Sequence, residues 1–262
     1  MREVEEKIEK TLKTGESVDC LTIVPDGEPI LDVNIGRMIE LLRPLGIKIA
    51  VITNASLIWR EDVRNELKKA DWVSLKVDSV KEEIWHRINR PHKTLQLSRI
   101  LDGILNFSCN YRGELTTETM LVRDLNDSEG HVEKIADFLF RVKPSKAYLS
   151  VPVRPPAEKW VRPPGEEVIN RAYQIFSAKI CCAECLTGHE DSAFTVTGNI
   201  EEDILSITAV HPMPEDALRD CLLKAAADWN IIENLIDKKE IVKVPYQGKN
   251  FYVRSIHGLS RI

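Results

Sequence analysis

The sequence predicts an α/β fold built on an open parallel sheet, followed by a small α+β module. Three observations predict it. Short apolar runs bounded by breakers alternate with amphipathic helices as far as about residue 180. That alternation is the signature of parallel strands joined by right-handed crossovers. About five such runs occur, too few to close an eight-stranded barrel. Near residue 205 the order changes to two helices and a hairpin.

The elements follow in order. Residues 1–14 read as a helix with Val4, Ile8 and Leu12 on one face and Gly15 at its C-cap. Leu21–Val24 is a strand ended by Pro25-Asp26-Gly27. Ile35, Met38, Ile39 and Leu42 form a helical stripe that Gly46 stops. KIAVIT (48–53) is the second strand, Val63 and Leu67 mark a short helix, and WVSLKV (72–77) is the third strand. Leu97, Leu101 and Ile104 mark a helix, and GELTTETMLV (113–122) is the fourth strand. Ser128 is an N-cap for a helix carrying Val132, Ile135, Ala136 and Leu139. AYLSV (147–151) is the fifth strand, and Val168, Ala172 and Ile175 mark the helix behind it. Short, continuously apolar strands of this kind are expected to be buried on both faces. The resulting division is 1–180, a connector over 181–204, and a module over 205–262. In that module 213–226 and 228–238 read as helices, and EIVKVPY and NFYVRSI as a hairpin turning at Gln247-Gly248-Lys249, a winged-helix-like outline.

Composition narrows the function classes. With 43% hydrophobic and 29% charged residues, the chain is a globular one rather than a disordered one. Lys and Arg number 36 against 41 Asp and Glu, a net charge of −5, which argues against coating nucleic acid by bulk charge. No apolar run approaches a membrane span, and MREVEEKIEKTLK lacks the apolar core of a signal peptide, so a cytoplasmic location is expected. Six cysteines in such a chain read as thiols or ligands rather than as a disulfide framework.

Ligands of open parallel sheets bind beyond the C-terminal ends of the strands. There the first strand carries Gly27, Glu28 and Pro29, where Gly27 permits close backbone approach and Glu28 can accept from an ammonium. An ordinary Asp–Gly turn needs the same residues. Thr53 and Asn54 end the second strand and suit sugar hydroxyls, or a helix cap. Asp78 ends the third strand on the side of Lys76, and Glu118 sits inside the fourth. A lyase-like Lys76/Asp78 pair is a further, weaker reading. Arg87, Arg90 and His92 in HRINRPH form a basic loop that could meet an anionic substrate, and Arg154 follows the fifth strand. Cys181, Cys182, Cys185 and His189 have spacing that suits a metal, or reduced cysteines around a turn. Cys20, Cys109 and Cys221 read as packing residues.

The module divides by charge. Residues 212–237 hold two Lys or Arg against six Asp or Glu, whereas 238–261 hold six against one. The second helix, with Asp228, Glu233 and Asp237, would repel phosphates, which argues against DNA readout. The basic hairpin (Lys238, Lys239, Lys243, Lys249, Arg254), interleaved with Tyr246, Phe251 and Tyr252, leaves RNA contact open. Packing on the preceding α/β part or on another protein is at least as open.

Taken together, VPDGEPILDVNIGRMIELLRPLGIKIAVITNASLIWREDVR, ADWVSLKVDSV, WHRINRPH, GELTTETMLVRDLNDSE, YLSVPVRPPAEKWV, GNIEEDILSITAVHPMPEDAL and YQGKNFYVR resemble the radical S-adenosylmethionine (SAM) superfamily. The resemblance is to iron–sulfur oxidoreductases of the branch related to wyosine-type tRNA base synthases. It implies a partial βα barrel, SAM and a 4Fe–4S cluster as cofactors, and RNA or a small metabolite as substrate. It places Gly27, Glu28, Pro29, Thr53, Asn54, Asp78 and Glu118 near SAM. The family's C-x-x-x-C-x-x-C cluster loop does not occur in these 262 residues. The chain opens on what matches the family's first helix, so the family's first strand and cluster loop are expected to be missing. The chain alone is then expected to be inactive in radical chemistry. The alternative is a silent descendant that serves as a ligand-binding or protein-interaction module.

Overall fold

A computed structural model describes residues 2–13, 17–24, 27–186, 194, 199–210 and 212–255. They fall into two compact units. One comprises the described residues of Asp19–Pro152 and Trp160–Thr187, the other those of Arg2–Val18, Val153–Lys159 and Gly188–Ile262.

Helix α1 (Arg2–Lys13) belongs to the second unit. The first unit runs β1 (Cys20–Ile23), α2 (Ile35–Leu42), β2 (Lys48–Thr53), α3 (Glu61–Leu67), β3 (Trp72–Lys76), α4 (Glu82–Asn89), α5 (Leu97–Asn110), β4 (Glu114–Met120), α6 (Glu129–Val142), β5 (Lys146–Ser150), α7 (Glu166–Lys179) and β6 (Ala183–Leu186). All six strands are parallel, in the order β1-β2-β3-β4-β5-β6. The α/β class and the open parallel sheet expected from the sequence are therefore present, with β6 added at one edge.

A strand order that follows the chain, with right-handed crossovers, puts every crossover helix on one side of the sheet. The side chains divide accordingly. Ile49, Val51, Val73, Leu75, Leu115, Ala147 and Leu149 are buried on one face. The helical residues Ile39, Leu67, Ile104, Phe107, Ile135, Leu139 and Phe176 are buried as well. The opposite face is different. Register aligns Ser74 with Thr116, and Lys76 with Glu118, which in turn aligns with Tyr148 and then Glu184. This row is polar and part-exposed. The expectation of strands buried on both faces thus fails on the inner face, because crossovers on one side leave the other without a helical cover.

The tops of β3 and β4 are latched. Asn126, fully buried, donates to the carbonyls of Asp78 and Met120 (both 2.8 Å) and accepts from the Val122 N–H (2.7 Å). Thr119 Oγ1 donates to the Val77 carbonyl at 2.8 Å.

Helix α4 covers part of the stretch expected to be a basic loop. Trp85 is buried and holds the helix against the unit, which a reading of the run for charge alone overlooks. Arg87 lies on α4, and Arg90 is its C-cap in the left-handed region at φ 44°. Gly15 lies outside the described residues.

The second unit contains α8 (Ile200–Val210), β7 (Met213–Pro214), α9 (Glu215–Lys224), α10 (Asn230–Asp237), β8 (Ile241–Tyr246) and β9 (Lys249–Arg254). Its antiparallel sheet has the order β7-β9-β8. Gln247 (φ 49°) and Gly248 (φ 76°) make the two-residue turn that suits the twist of paired strands. Ile204, Met213, Leu218, Leu222, Ile232, Leu235, Ile241 and Tyr252 form its core. Glu215 accepts from Arg219 (2.7 Å), Asn250 (2.8 Å) and the Tyr252 hydroxyl (3.4 Å), and so ties α9 to β9.

Candidate functional site

The C-terminal rim of β1 and β2 brings three of the expected residues together. Glu28 caps a 3-10 turn over Pro29–Leu31 and accepts from the Ile30 N–H at 3.2 Å. Its carboxylate also accepts from the Thr53 hydroxyl, and from the Asn54 N–H at 2.8 Å. Burial pushes the Glu28 carboxyl above its ordinary range, and these donors pull it part of the way back. Thr53 Oγ1 also accepts from the Ala55 N–H at 3.0 Å. Ala55, fully buried, sits at φ 61°, a left-handed conformation unusual for alanine. Pro29 is buried, and Gly27 is exposed with open space where a Cβ would project. The protein itself therefore does not require glycine at position 27. A ligand approaching the backbone would.

Asp78 is bonded within the fold. It is 3% exposed, and its two carboxylate oxygens accept from the Met120 N–H and the Asn89 amide, both at 2.9 Å. It joins β4 to α4, with each carboxylate oxygen engaged once within the fold.

Glu118 lies on the inner face, where its Oε1 accepts from Ser150 Oγ at 2.7 Å and lies 3.7 Å from Lys76 Nζ. Burial disfavours the charge on Lys76, but Asp78 and Glu118 together outweigh it and hold the ammonium above the ordinary lysine range. A lysine kept charged is not an amine nucleophile, which counts against the lyase-like reading.

The remaining residues scatter. Arg87, Arg90 and His92 are exposed, and His92 shares its Nδ1 hydrogen bond (2.8 Å) with Thr94 next to it. Arg154 falls in the second unit.

The cysteines expected to bind metal do not converge. Ala183–Leu186, inside the stretch read as a connector, is strand β6. Alternation along it sends side chains two apart to the same side. Cys182 Sγ lies 3.8 Å from Glu184 Oε1, and Glu184 pairs with Lys146 at 2.9 Å on the inner face. Cys185 aligns with Leu149, which belongs to the opposite, helix-covered face. Burial raises its thiol, which disfavours the thiolate a metal needs. Cys181 is exposed, and His189 lies outside the described residues. Among the described residues no group of three or more His, Cys, Asp and Glu side chains could hold a metal ion. The described residues do not fit a 4Fe–4S cluster. Cys221 is buried as expected of a packing residue, whereas Cys20 and Cys109 are exposed.

The hairpin of the second unit also departs from expectation. Phe251 and Tyr252 are 6% and 2% exposed, so neither presents a ring for base stacking. Lys238 pairs with Glu201 at 2.9 Å, and Arg254 donates to the Leu205 carbonyl at 3.0 Å.

Sequence reasoning missed Asn126, Ser150 and the strained Ala55. The polar inner face did carry a signal, the period-two alternation of ELTTETM.

Comparison with known proteins gives a consistent picture. The family model described as the radical SAM superfamily matches residues 1–139. A UPF0026 protein of Methanocaldococcus jannaschii is 46% identical over 257 residues, which cover 97% of this chain and 79% of that protein. The crystal structure of a radical SAM methyltransferase from Sphaerobacter thermophilus matches with a TM-score of 0.56 and 17% identity, over 73% of this chain and 57% of that one. A structure of TYW1 with a lysine–pyruvate adduct bound matches with a TM-score of 0.52 and 18% identity, over 66% of this chain and 54% of that one. At such identities the last two are likenesses of fold alone.

Proposed function

The chain belongs to the radical SAM superfamily, and from that premise we propose that the rim around Glu28, Thr53 and Asn54 holds SAM. The observation that carries this reading is the Glu28 carboxylate, withdrawn from solvent yet kept near the rim by the Thr53 hydroxyl and the Asn54 N–H. A carboxylate so placed accepts from the SAM ammonium. Gly27, with open space above it, allows the ligand close to the backbone. When bound to a cluster, SAM supplies a 5′-deoxyadenosyl radical for hydrogen abstraction. None of the described residues fit that cluster, so the second part of the reading is that these 262 residues bind SAM without cleaving it. An iron–sulfur oxidoreductase activity then needs cluster ligands from outside this sequence. The chain by itself serves as a ligand-binding module, and its second unit is a winged-helix-like module for contact with a protein.

An RNA substrate finds little support. The resemblance of the sequence suggests it, but Phe251 and Tyr252 are buried and two of the hairpin's cations are already engaged. No described helix is long and apolar enough to cross a membrane. A cytoplasmic location fits this reading.

The test is calorimetric titration with SAM, paired with iron and sulfide analysis after anaerobic reconstitution. Saturable SAM binding with no bound iron and no 5′-deoxyadenosine under dithionite is the expected result. Absence of SAM binding sinks the first part. About four irons per chain with SAM cleavage sinks the second.

A further inference from the structure

A recess opens between the N-terminal halves of α6 and α7, on the helix-covered side of the first unit. It encloses about 330 Å³, at the lower end of the range of small-molecule sites. Val132, Val168 and Ile175 give it an apolar wall, and its charged groups are Asp127, Glu129, Glu167 and Arg171. Glu129 and Glu167 stand in the first turns of their helices, where the helix dipole favours a carboxylate. They share Arg171, at 3.5 and 3.6 Å. All three side chains are exposed, and neither contact is as short as a charge-assisted hydrogen bond. Exposed pairs of that kind hold little free energy.

Asp127 differs. It is half-buried in the recess, ahead of the N-cap Ser128, and Arg171 pairs with the two glutamates and not with it. Burial pushes its carboxyl above the ordinary range and Asp124 adds to this, while backbone N–H donors and Arg123 pull it part of the way back. An anion entering the recess would meet three carboxylates and one guanidinium. A neutral apolar molecule would take more water from the Asp127 carboxylate without pairing it. A bare metal ion finds no ligand set among the described residues and leaves the apolar wall unused. An ammonium on an alkyl chain uses both features. We propose that this recess binds a small aliphatic amine, with its ammonium on the Asp127 carboxylate and its chain against Val132, Val168 and Ile175. The recess shares no residue with the rim around Glu28, and the proposal does not depend on SAM binding there.

The test is amide-resolved NMR on the full chain, titrated with butylammonium, with butanol and with butanoate. Butylammonium is expected to bind saturably and to shift the amides of 127–132 and 167–175. Butanol and butanoate are each expected to bind at least tenfold more weakly. Asp127→Asn is expected to weaken butylammonium at least tenfold. Arg171→Gln, which removes the competing cation, is expected to tighten it. A general loosening of the two helices would not move affinity in opposite directions. The proposal is overturned if butylammonium does not saturate, if its shifts centre on the rim around Glu28, or if either other probe binds as well. It is overturned too if folded Asp127→Asn binds undiminished, or if Arg171→Gln weakens binding as Asp127→Asn does. Circular dichroism checks each variant, and the comparison of the three probes on the unaltered chain decides if Asp127→Asn fails to fold.

Discussion

Glu28 and Asn54, 26 residues apart in the chain, meet at the rim of the sheet, where the Asn54 N–H donates to Glu28 Oε2 at 2.8 Å. The bond fixes the carboxylate of one strand end against the backbone of the next. Burial makes that carboxylate costly in its charged form, and the raised pKa expresses the cost. Between the ordinary glutamate pKa and the raised one the folded state holds more protons than the unfolded state. Stability is therefore gained as pH falls through that window and is lower above it. A charge kept at a cost to stability is the pattern of a binding group.

Glu28→Gln separates the two roles. The buried charge is gone and the amide oxygen can still accept from the Asn54 N–H, but the amide NH2 then faces the Ile30 N–H instead of accepting from it. The two effects oppose, so thermal stability at pH 7.5 is expected to change little. SAM affinity is expected to fall at least tenfold, the loss of one charge-assisted hydrogen bond of about 1.5 kcal/mol or more. Melting curves and calorimetry on the same preparation check both. Lower stability with unchanged SAM affinity would make Glu28 a structural residue.

His131 sets an acid limit on the fold. It is 2% exposed, and neither ring nitrogen has a hydrogen-bond partner. Burial first, then Lys81 and Lys134, lower its pKa to about 4. The unfolded imidazole titrates near 6.5. Between these values the unfolded state binds the extra proton, so stability is full above about pH 6.5 and drains away as pH falls toward 4. The loss at pH 4.5 is about 2 kcal/mol. His131→Leu removes it. Urea titrations at pH 7.5 and 4.5 should show a pH difference smaller by that amount in the variant; an unchanged difference rules out His131 as its source.

Gly103 and Gly130 make an internal comparison. A Cβ at Gly103 on α5 would sit 2.7 Å from the Trp59 N and Cα and 2.8 Å from the Ile58 carbonyl carbon. These are backbone atoms of the loop that leads away from Asn54, and they cannot rotate aside. Gly103→Ala is expected to cost about 1–3 kcal/mol and to weaken SAM binding by shifting that loop. Gly130 on α6 has no atom within 4 Å of such a Cβ. Gly130→Ala is expected to be neutral or to gain up to about 0.5 kcal/mol. Equal melting temperatures for the two variants would show that the α5 contact yields freely.

How much of this was legible depends on whether the partners are local. Strands β1, β2, β3 and β5 announce themselves as apolar runs between breakers, β4 by its alternation, and the helices by their stripes. Strand β6 does not, because Ala-Glu-Cys-Leu at a sheet edge buries too little to leave an apolar run. Glu28, Thr53 and Asn54 were legible as strand-end residues, and the structure joins them. The role of Asp78 was not legible. Its partners Asn89 and Met120 lie 11 and 42 residues away, and one of them is a backbone N–H with no side-chain signature. Cys182 and Cys185 look like ligands by spacing, but Cys185 lies on β6 and Cys182 just before it, and a separation of three puts them on opposite sides.

Asn126 gives the most demanding test of the latch above Lys76. Its side chain makes three hydrogen bonds to backbone groups: the carbonyls of Asp78 and Met120 and the N–H of Val122. All lie where β3 and β4 end and the inner face begins. Asn126→Ala leaves these backbone groups unsatisfied in a fully buried position, each at about 1–3 kcal/mol, so a loss of about 3 kcal/mol or more is expected. Asn126→Asp keeps the acceptor for Val122 but sets a carboxylate against the carbonyl oxygens of Asp78 and Met120. It should therefore be no better than alanine at pH 7.5, and should recover part of the loss near pH 4, where protonation restores one donor. Urea unfolding at both pH values measures this. Wild-type stability in either variant at pH 7.5 would mean that Thr119 and Asp78 hold the two strand ends together without Asn126.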